Sequence, residues 1–413
     1  MNDNWKKKII LFLTSQTISL FGSSLVQYSI SWYITLKTQS GLMMTIAIIC
    51  GFLPTFFLSP FAGVWADRYD RKKLIILSDS LIAISTLIIA ILFILGYQSI
   101  FLLFGVLIVR ALGTAIQTPT VGAFIPQLVP EDKLTKVNAT NGSIQSMVML
   151  VSPMLSALLL TKTTIEAIFF IDVITAAVAV TTLMLFLRVP AHNKALDKQT
   201  TGYFDDMRKG YEYIKNHSFV SKIIVFSSIF GFLVAPAAFL TPLQVTRSFG
   251  NQVWRLSAIE IAFSVGMIIG GILMASWGGF KKKIHSMVFG TAVMGIFTFA
   301  LGIVPVFWIY LVFMSLIGVA MPIFNTPFMV LLQQKVEGDY LGRVFGVFTM
   351  ASSVMMPLGM LVFGPLSDLV NIEWLLIVTG ILIFLEGVVM LRDKALRDTE
   401  TYAEINATDA LEN

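Results

Sequence analysis

Charge, cysteine and histidine are scarce in this chain. Of its 413 residues only 13% are charged, one is cysteine and three are histidine, while 56% are hydrophobic. A water-soluble fold of this size needs more charge to cover its surface, so the composition places the chain in lipid. The lone Cys50 excludes an internal disulfide and a thiolate metal cluster. His192, His217 and His285 have no Glu partner at ligand spacing, which argues against a membrane metalloprotease, and no metal is expected. No Gly-x-x-x-x-Gly-Lys-Ser/Thr loop occurs. Neither a cofactor nor enzymatic activity is expected, and any work has to be drawn from a gradient.

Long apolar runs are what the chain does have. A bilayer core about 30 Å thick needs roughly 20 apolar residues per crossing. Twelve runs qualify, at 9–36, 42–66, 74–95, 99–121, 140–160, 165–187, 219–245, 256–277, 284–304, 306–332, 345–366 and 373–391. The fold class expected is therefore all-α, with twelve transmembrane helices. Lys6, Lys7 and Lys8 before the first run imitate a secretory signal, but the run continues to Leu36, too long for one, and a retained first helix is expected.

Positive charge gives the orientation. With the N-terminus inside, 24 of the 29 Lys and Arg fall on the cytoplasmic side, and only Lys37, Lys162, Arg247 and Arg255 fall outside. The net charge of +5 thus reports membrane topology rather than a nucleic-acid partner. Both termini are expected in the cytoplasm of a multi-pass protein of the bacterial cell membrane. The longest polar stretch divides the chain into a six-helix bundle at 1–187, a cytoplasmic linker at 188–218, a second bundle at 219–392 and a tail at 393–413. Within the linker, Tyr203 to Ile214 has the pattern of a short amphipathic helix at the membrane surface or of an ordinary solvated one.

The two bundles also resemble each other in sequence. Gln127 to Val137 matches Gln334 to Val344 without a gap, agreeing at six positions if Lys136 and Arg343 are equated. Each segment follows an apolar run with a Thr-Pro, Thr118-Pro119 and Thr326-Pro327. Similar halves of one orientation suit a rocking mechanism that opens a central site to either side in turn, for which a single chain suffices.

After the second run come Gly63, Asp67, Arg68, Arg71, Lys72 and Lys73. Gly63 is placed for close helix approach, and Asp67 for meeting a helix N-terminus or a cation. These residues resemble the signature of the major facilitator superfamily in the loop between helices two and three, with Asp70 where a glycine is usual. The resemblance implies two six-helix bundles related by a pseudo-two-fold axis and a gating role for Asp67. The alternative is an anchor obeying the positive-inside rule. The runs Val129 to Asn141 and Leu341 to Gly346 are similar to the drug-exporting branch that includes macrolide-efflux (Mef-type) antiporters. That implies a small amphiphilic drug and protons as the molecules handled.

Arg110 lies inside the fourth run, where an unpaired cation is expensive. It resembles the helix-four arginine that drug-proton antiporters use in coupling, although Gly113 follows at three residues instead of four. Ser152-Pro153 likewise stands where such antiporters often carry Gly-Pro. The acids within the runs are Asp79, Asp172, Glu260 and Glu386, of which Asp172 and Glu260 are, beside Arg110, the preferred candidates for proton coupling. The family's cavity-lining helices offer Gln27, Trp32, Gln117, Phe239 and Asn325 as a substrate wall, with Met355-Met356 as adaptable surface. The leading expectation is proton-driven export of macrolide-like drugs by alternating access. A metabolite carrier on the same fold, or a non-transporting membrane partner of another resistance factor, remains an alternative.

Overall fold

The computed structural model describes residues 4–130, 133–187 and 203–396. Among these residues the chain is helical, without strands. The helices are α1 (Asn4–Thr38), α2 (Gly41–Arg68), α3 (Arg71–Ile94), α4 (Ile100–Leu128), α5 (Leu134–Lys162), α6 (Ile165–Phe186), α7 (Tyr203–Asn216), α8 (Ser218–Phe239), α9 (Thr241–Ser248), α10 (Val253–Trp277), α11 (Lys283–Leu301), α12 (Phe307–Lys335), α13 (Gly338–Leu369) and α14 (Ile372–Arg392).

Among the described residues twelve helical stretches are long and apolar enough to cross a bilayer, with α8 and α9 forming one of them and α7 none. In hydrocarbon every backbone N–H and C=O has to be satisfied within its own segment, which is why apolar runs of this length become helices. Hydroxyl groups follow the same rule. Thr17, Thr35 and Thr38 each donate to the carbonyl four residues earlier, so their polarity is absorbed by their own helix. The break between α8 and α9 comes at Leu240, two residues before Pro242, which has no amide hydrogen to continue the ladder.

The chain divides into two compact units. Unit 1 takes in Met1–Gln39, Ile46–Lys198 and Gln252–Ser257, and unit 2 takes in Ser40–Thr45, Gln199–Asn251 and Ala258–Asn413. In unit 1, α1 packs along α6 and α5, and α3 packs against α4 and α6. In unit 2, α11 lies between α14 and α12, while α13 packs on α8 and α7. The α11–α14 crossing depends on two facing glycines. A methyl group on Gly295 would come within 2.6 Å of the Phe384 amide nitrogen and 2.8 Å of the Gly380 carbonyl. Such backbone contact through small residues is how helices associate where lipid supplies no hydrophobic drive.

The linker helix α7 forms over Tyr203–Asn216. Tyr213 and Ile214, each 7% exposed, are covered by protein of unit 2, where α7 packs on α13 and α8. Tyr213 stacks on Tyr340 of α13 at 4.6 Å and on His217 at 3.9 Å. Residues 188–202 and 397–413, the rest of the expected linker and most of the expected tail, lie outside the described residues.

Candidate functional site

Arg110 needs a partner, and unit 1 supplies one from another helix. The guanidinium, 5% exposed, donates from Nη1 to Asp172 Oδ2 at 2.6 Å and to Thr86 Oγ1 at 2.5 Å. Its Nη2 donates to the Ser23 carbonyl at 2.9 Å. Asp172 is fully buried and also accepts from the Ser23 hydroxyl at 3.1 Å. One node therefore ties α1, α3, α4 and α6 together. Pairing plus hydrogen bonds on both partners is what makes a buried charge tolerable, and removing one partner of such a pair costs about 3–5 kcal/mol.

The backbone is shaped around this node. Gly22, one residue before Ser23, has no room for a side chain, because a methyl there would strike Thr175 Oγ1 and come within 3.1 Å of the Asp172 Cα. That close approach of α1 to α6 sets Asp172 within reach of Ser23 and Arg110.

The other expected coupling residue does not join them. Glu260, half-buried on α10, belongs to unit 2 and has no hydrogen-bond partner among the described residues. Asp79 is 1% exposed on α3 and takes the Gln117 amide, so this member of the expected substrate wall is turned onto a carboxylate of its own unit.

The remaining wall residues separate by exposure. Gln27 and Asn325 are exposed, and Phe239 is half-buried. Trp32 corrects the expectation: at 2% exposure, with its ring 5.8 Å from Tyr28, it is packing inside unit 1 rather than open surface. Beside Asn325, Phe324 stacks on Phe230 at 4.3 Å, and Phe328 extends the series to Phe348 at 4.6 Å. Met355 and Met356 are half-buried in the same unit.

In the loop signature, Arg71 reaches back and across: Nε donates to the Ala66 carbonyl and Nη1 to the Ala123 carbonyl, each at 2.8 Å. Lys72 donates to the Met184 carbonyl at 3.3 Å. These bonds join the α2–α3 turn to the ends of α4 and α6. Asp70, at the usual glycine position, caps α3 by accepting from the Lys73 amide at 3.3 Å, and its φ of −62° needs no glycine. Gly63 departs from the expected close approach, since a methyl there would meet nothing within 4 Å. Arg68 and Lys73 are exposed. The Asp67 side chain lies outside the described residues.

Sequence reasoning missed a second acid at a helix start. In unit 2, Asp368 near the end of α13 accepts from the backbone amides of Gly41 at 2.8 Å and Leu42 at 2.9 Å, and from the Ser40 hydroxyl at 2.7 Å. Arg247 completes the cluster, with Nη2 2.8 Å from Asp368 Oδ1 and Nη1 donating to the Ser367 carbonyl at 2.6 Å. The helix dipole and free amides at the start of α2 favour an anion there. A signal was available, because Gly364-x-x-x-Asp368 has the same spacing as Gly63-x-x-x-Asp67.

Comparison with known proteins adds to this geometry. A family model described as Major Facilitator Superfamily matches residues 12–360 and 256–405. Macrolide efflux protein A of Streptococcus pyogenes is 31% identical over 389 residues, covering 94% of this chain and 96% of that protein. Macrolide efflux protein A of Enterococcus faecalis is 31% identical over 323 residues, covering 78% of this chain and 99% of that protein. Among solved structures, the nucleoside transporter NupG superposes with a TM-score of 0.68 at 15% identity, covering 95% of this chain and all of NupG, a likeness that bears on the fold alone.

Proposed function

This chain belongs to the major facilitator superfamily, and we propose that it exports macrolide-like amphiphilic drugs across the bacterial cell membrane in exchange for protons. Identity of 31% to a macrolide efflux protein over 94% of the chain carries the reading. The fold makes it a multi-pass membrane transporter. The drug, the proton and the direction are the steps proposed here.

In this reading the N-terminus, the α2–α3 loop and the α4–α5 loop face the cytoplasm, as the distribution of Lys and Arg requires. Two six-helix bundles alternate access to a central drug site, and one molecule suffices. The Arg110–Asp172 node is where a proton acts. A proton on Asp172 neutralises the carboxylate that holds the guanidinium, so a bond shared by four helices weakens at once. Glu260, without a partner on α10, is a second carboxylate open to a proton. Gln27, Phe239 and Asn325 contact the drug, backed by the ring series from Phe230 to Phe348. Gln117 reaches it only when released from Asp79. Gly63, Asp67, Arg68, Arg71, Lys72 and Lys73 form the inner gate, with Arg71 and Lys72 bracing the turn that follows α2.

Labelled macrolide uptake into inverted vesicles tests the proposal. Accumulation has to require an imposed proton gradient and fall at least about tenfold in Asp67→Ala. Accumulation indifferent to both, with unchanged drug susceptibility of the expressing cells, overturns it.

A further inference from the structure

Seven residues separate Gln16 from Ser23 on α1, Asp79 from Thr86 on α3, and Arg110 from Gln117 on α4. Seven residues are close to two helical turns, or ~10.5 Å of rise. The three helices therefore carry matched polar residues into two layers of unit 1. The layer nearer the start of α1 holds Gln16, Ser19, Asp79 and Gln117, linked by polar contacts of which that between Gln117 and Asp79 is the short one. The other holds Ser23, Thr86, Arg110 and Asp172. Between them Ile82, 4% exposed, is pressed against α4, where a methyl on Gly113 would come within 2.5 Å of the Ile82 Cγ1.

The two layers differ in charge. Arg110 and Asp172 neutralise each other. Asp79 is as deeply buried and receives only neutral donors: the Gln117 amide, the Ser19 hydroxyl at 3.4 Å on Oδ1 and the Gln16 amide at 3.5 Å on Oδ2. The last two contacts lie beyond the usual hydrogen-bond range. No lysine or arginine among the described residues forms an ion pair with it. On the helices that meet Asp79, the other charged groups are Lys6, Lys7, Lys8 and Lys37 on α1, Arg71, Lys72 and Lys73 on α3, Lys136 and Lys162 on α5 and Glu166 on α6, all within five residues of a helix end. A buried carboxylate whose donors are all neutral is one positive charge short.

We propose that Asp79, with Gln16, Ser19 and Gln117, binds a small monovalent cation, a proton or a sodium ion, as a second stop on the ion path that includes Asp172. The proposal rests on the exporter reading and extends it by locating a further ion site. A proton sits on an Asp79 carboxyl oxygen and is donated to Gln117 Oε1 or Gln16 Oε1 once that amide turns end for end. A sodium ion takes both carboxylate oxygens, the Ser19 hydroxyl and the two amide oxygens, a set of hard oxygen donors suited to such an ion. Either occupant frees the Gln117 amide nitrogen from Asp79.

The full chain reconstituted in liposomes separates the possibilities, with radiolabelled erythromycin as the probe. Energy-independent counterflow of erythromycin tests the exporter reading alone. Accumulation driven by a pH gradient in choline chloride, or by a sodium gradient at equal pH, tests the ion site, and the arm that drives the wild type identifies the ion. Asp79→Asn is expected to keep counterflow within about twofold and to lose driven accumulation at least about tenfold, with Asp79→Glu recovering part of it. Wild-type accumulation by Asp79→Asn overturns the site. If the wild type shows no counterflow, the exporter reading fails, and melting of the purified protein still judges the site. The wild-type melting temperature then has to depend on sodium or on pH in a way that Asp79→Asn abolishes, and equal dependence in both overturns the site. Ser19→Ala, a small change that keeps the carboxylate, covers the case in which Asp79→Asn does not fold. It is expected to shift the half-saturating ion concentration about threefold or more, upward for sodium, which loses a ligand, and downward for a proton, which no longer competes with the hydroxyl for the carboxylate, and an unchanged value overturns the proposal.

Discussion

Aligned on Thr118-Pro119 and Thr326-Pro327, Arg110 of unit 1 falls opposite Gly318 of unit 2, and Gln117 falls opposite Asn325. The first position carries a buried cation held by Asp172, Thr86 and Ser23. The second carries no side chain, because α12 presses on α10 there: a methyl on Gly318 would strike the Phe263 carbonyl and come within 3.0 Å of the Met267 amide nitrogen. Gln117 is tied to a carboxylate, whereas Asn325 is exposed beside a row of phenylalanines. At this matched position two halves of similar sequence thus differ, with a buried ion pair in unit 1 and close helix contact in unit 2. A buried charge survives only where neighbouring helices supply its partners, and unit 2 offers backbone at that point.

Breaking the polar member of the pair is expected to do the most damage. Arg110→Ala leaves Asp172 buried without a cation and lowers stability by about 3–5 kcal/mol, seen as a lower melting temperature of the purified protein in detergent. Replacing both partners with apolar residues, Arg110→Met with Asp172→Leu, recovers most of that loss while drug transport stays abolished. If the single and double variants melt alike, the node is not held together as a charge pair.

The apolar member breaks by overpacking. Gly318→Ala forces α12 away from α10 and is expected to cost about 1–3 kcal/mol, whereas Gly51→Ala, with nothing within 4 Å of the added methyl, shifts melting little. Equal shifts in the two variants would remove close packing as the explanation of the glycine. Asn325→Ala sharpens the contrast at the level of function. The account expects stability within about 0.5 kcal/mol of wild type and a changed ranking of exported drugs in a susceptibility panel, with gradient dependence intact.

The smallest effect is expected at the end of α14. Partial burial pushes the Asp393 carboxyl up, but the Lys222 ammonium 2.8 Å away and the amides of Leu396 and Ala395 hold it below the usual carboxylate range. A carboxylate depressed on folding stabilises the protein above its unfolded pKa of about 3.9, and the contribution disappears as pH falls through the folded value. Lys222 is 40% exposed, so the pair is worth less than about 1 kcal/mol. Asp393→Asn is expected to flatten the acid limb of a melting-temperature profile below pH ~4 and to leave transport unchanged.

Much of the fold was legible because lipid allows few solutions. Twelve apolar runs become twelve spanning helices once water is absent, and the sequence boundaries fell within several residues of those observed. The site was legible only in part. A cation inside a span demands a partner, which pointed to Arg110, but Asp172 and Glu260 were equivalent on paper. The packing of α6 against α1 and α3 selects Asp172. Ser19, Ser23 and Thr86 carried no signal of their own, since serine and threonine in such helices mostly bond to their own backbone, as Thr17 and Thr35 do. For Gly63 and Trp32 the sequence offers only residue type and motif. Open space around one and burial of the other follow from neighbours far away in sequence.

The central proposal is that Asp172 of unit 1 carries the coupling proton and that Asn325 of unit 2 takes part in drug choice. Reconstituted Asp172→Asn and Asn325→Ala, each compared with wild type for counterflow and for gradient-driven accumulation of a panel of labelled macrolides, test it directly. The account predicts that Asp172→Asn exchanges the same drugs as wild type but cannot concentrate them, while Asn325→Ala still concentrates drug with an altered preference. Uphill accumulation by Asp172→Asn, or loss of gradient dependence in Asn325→Ala, would contradict it.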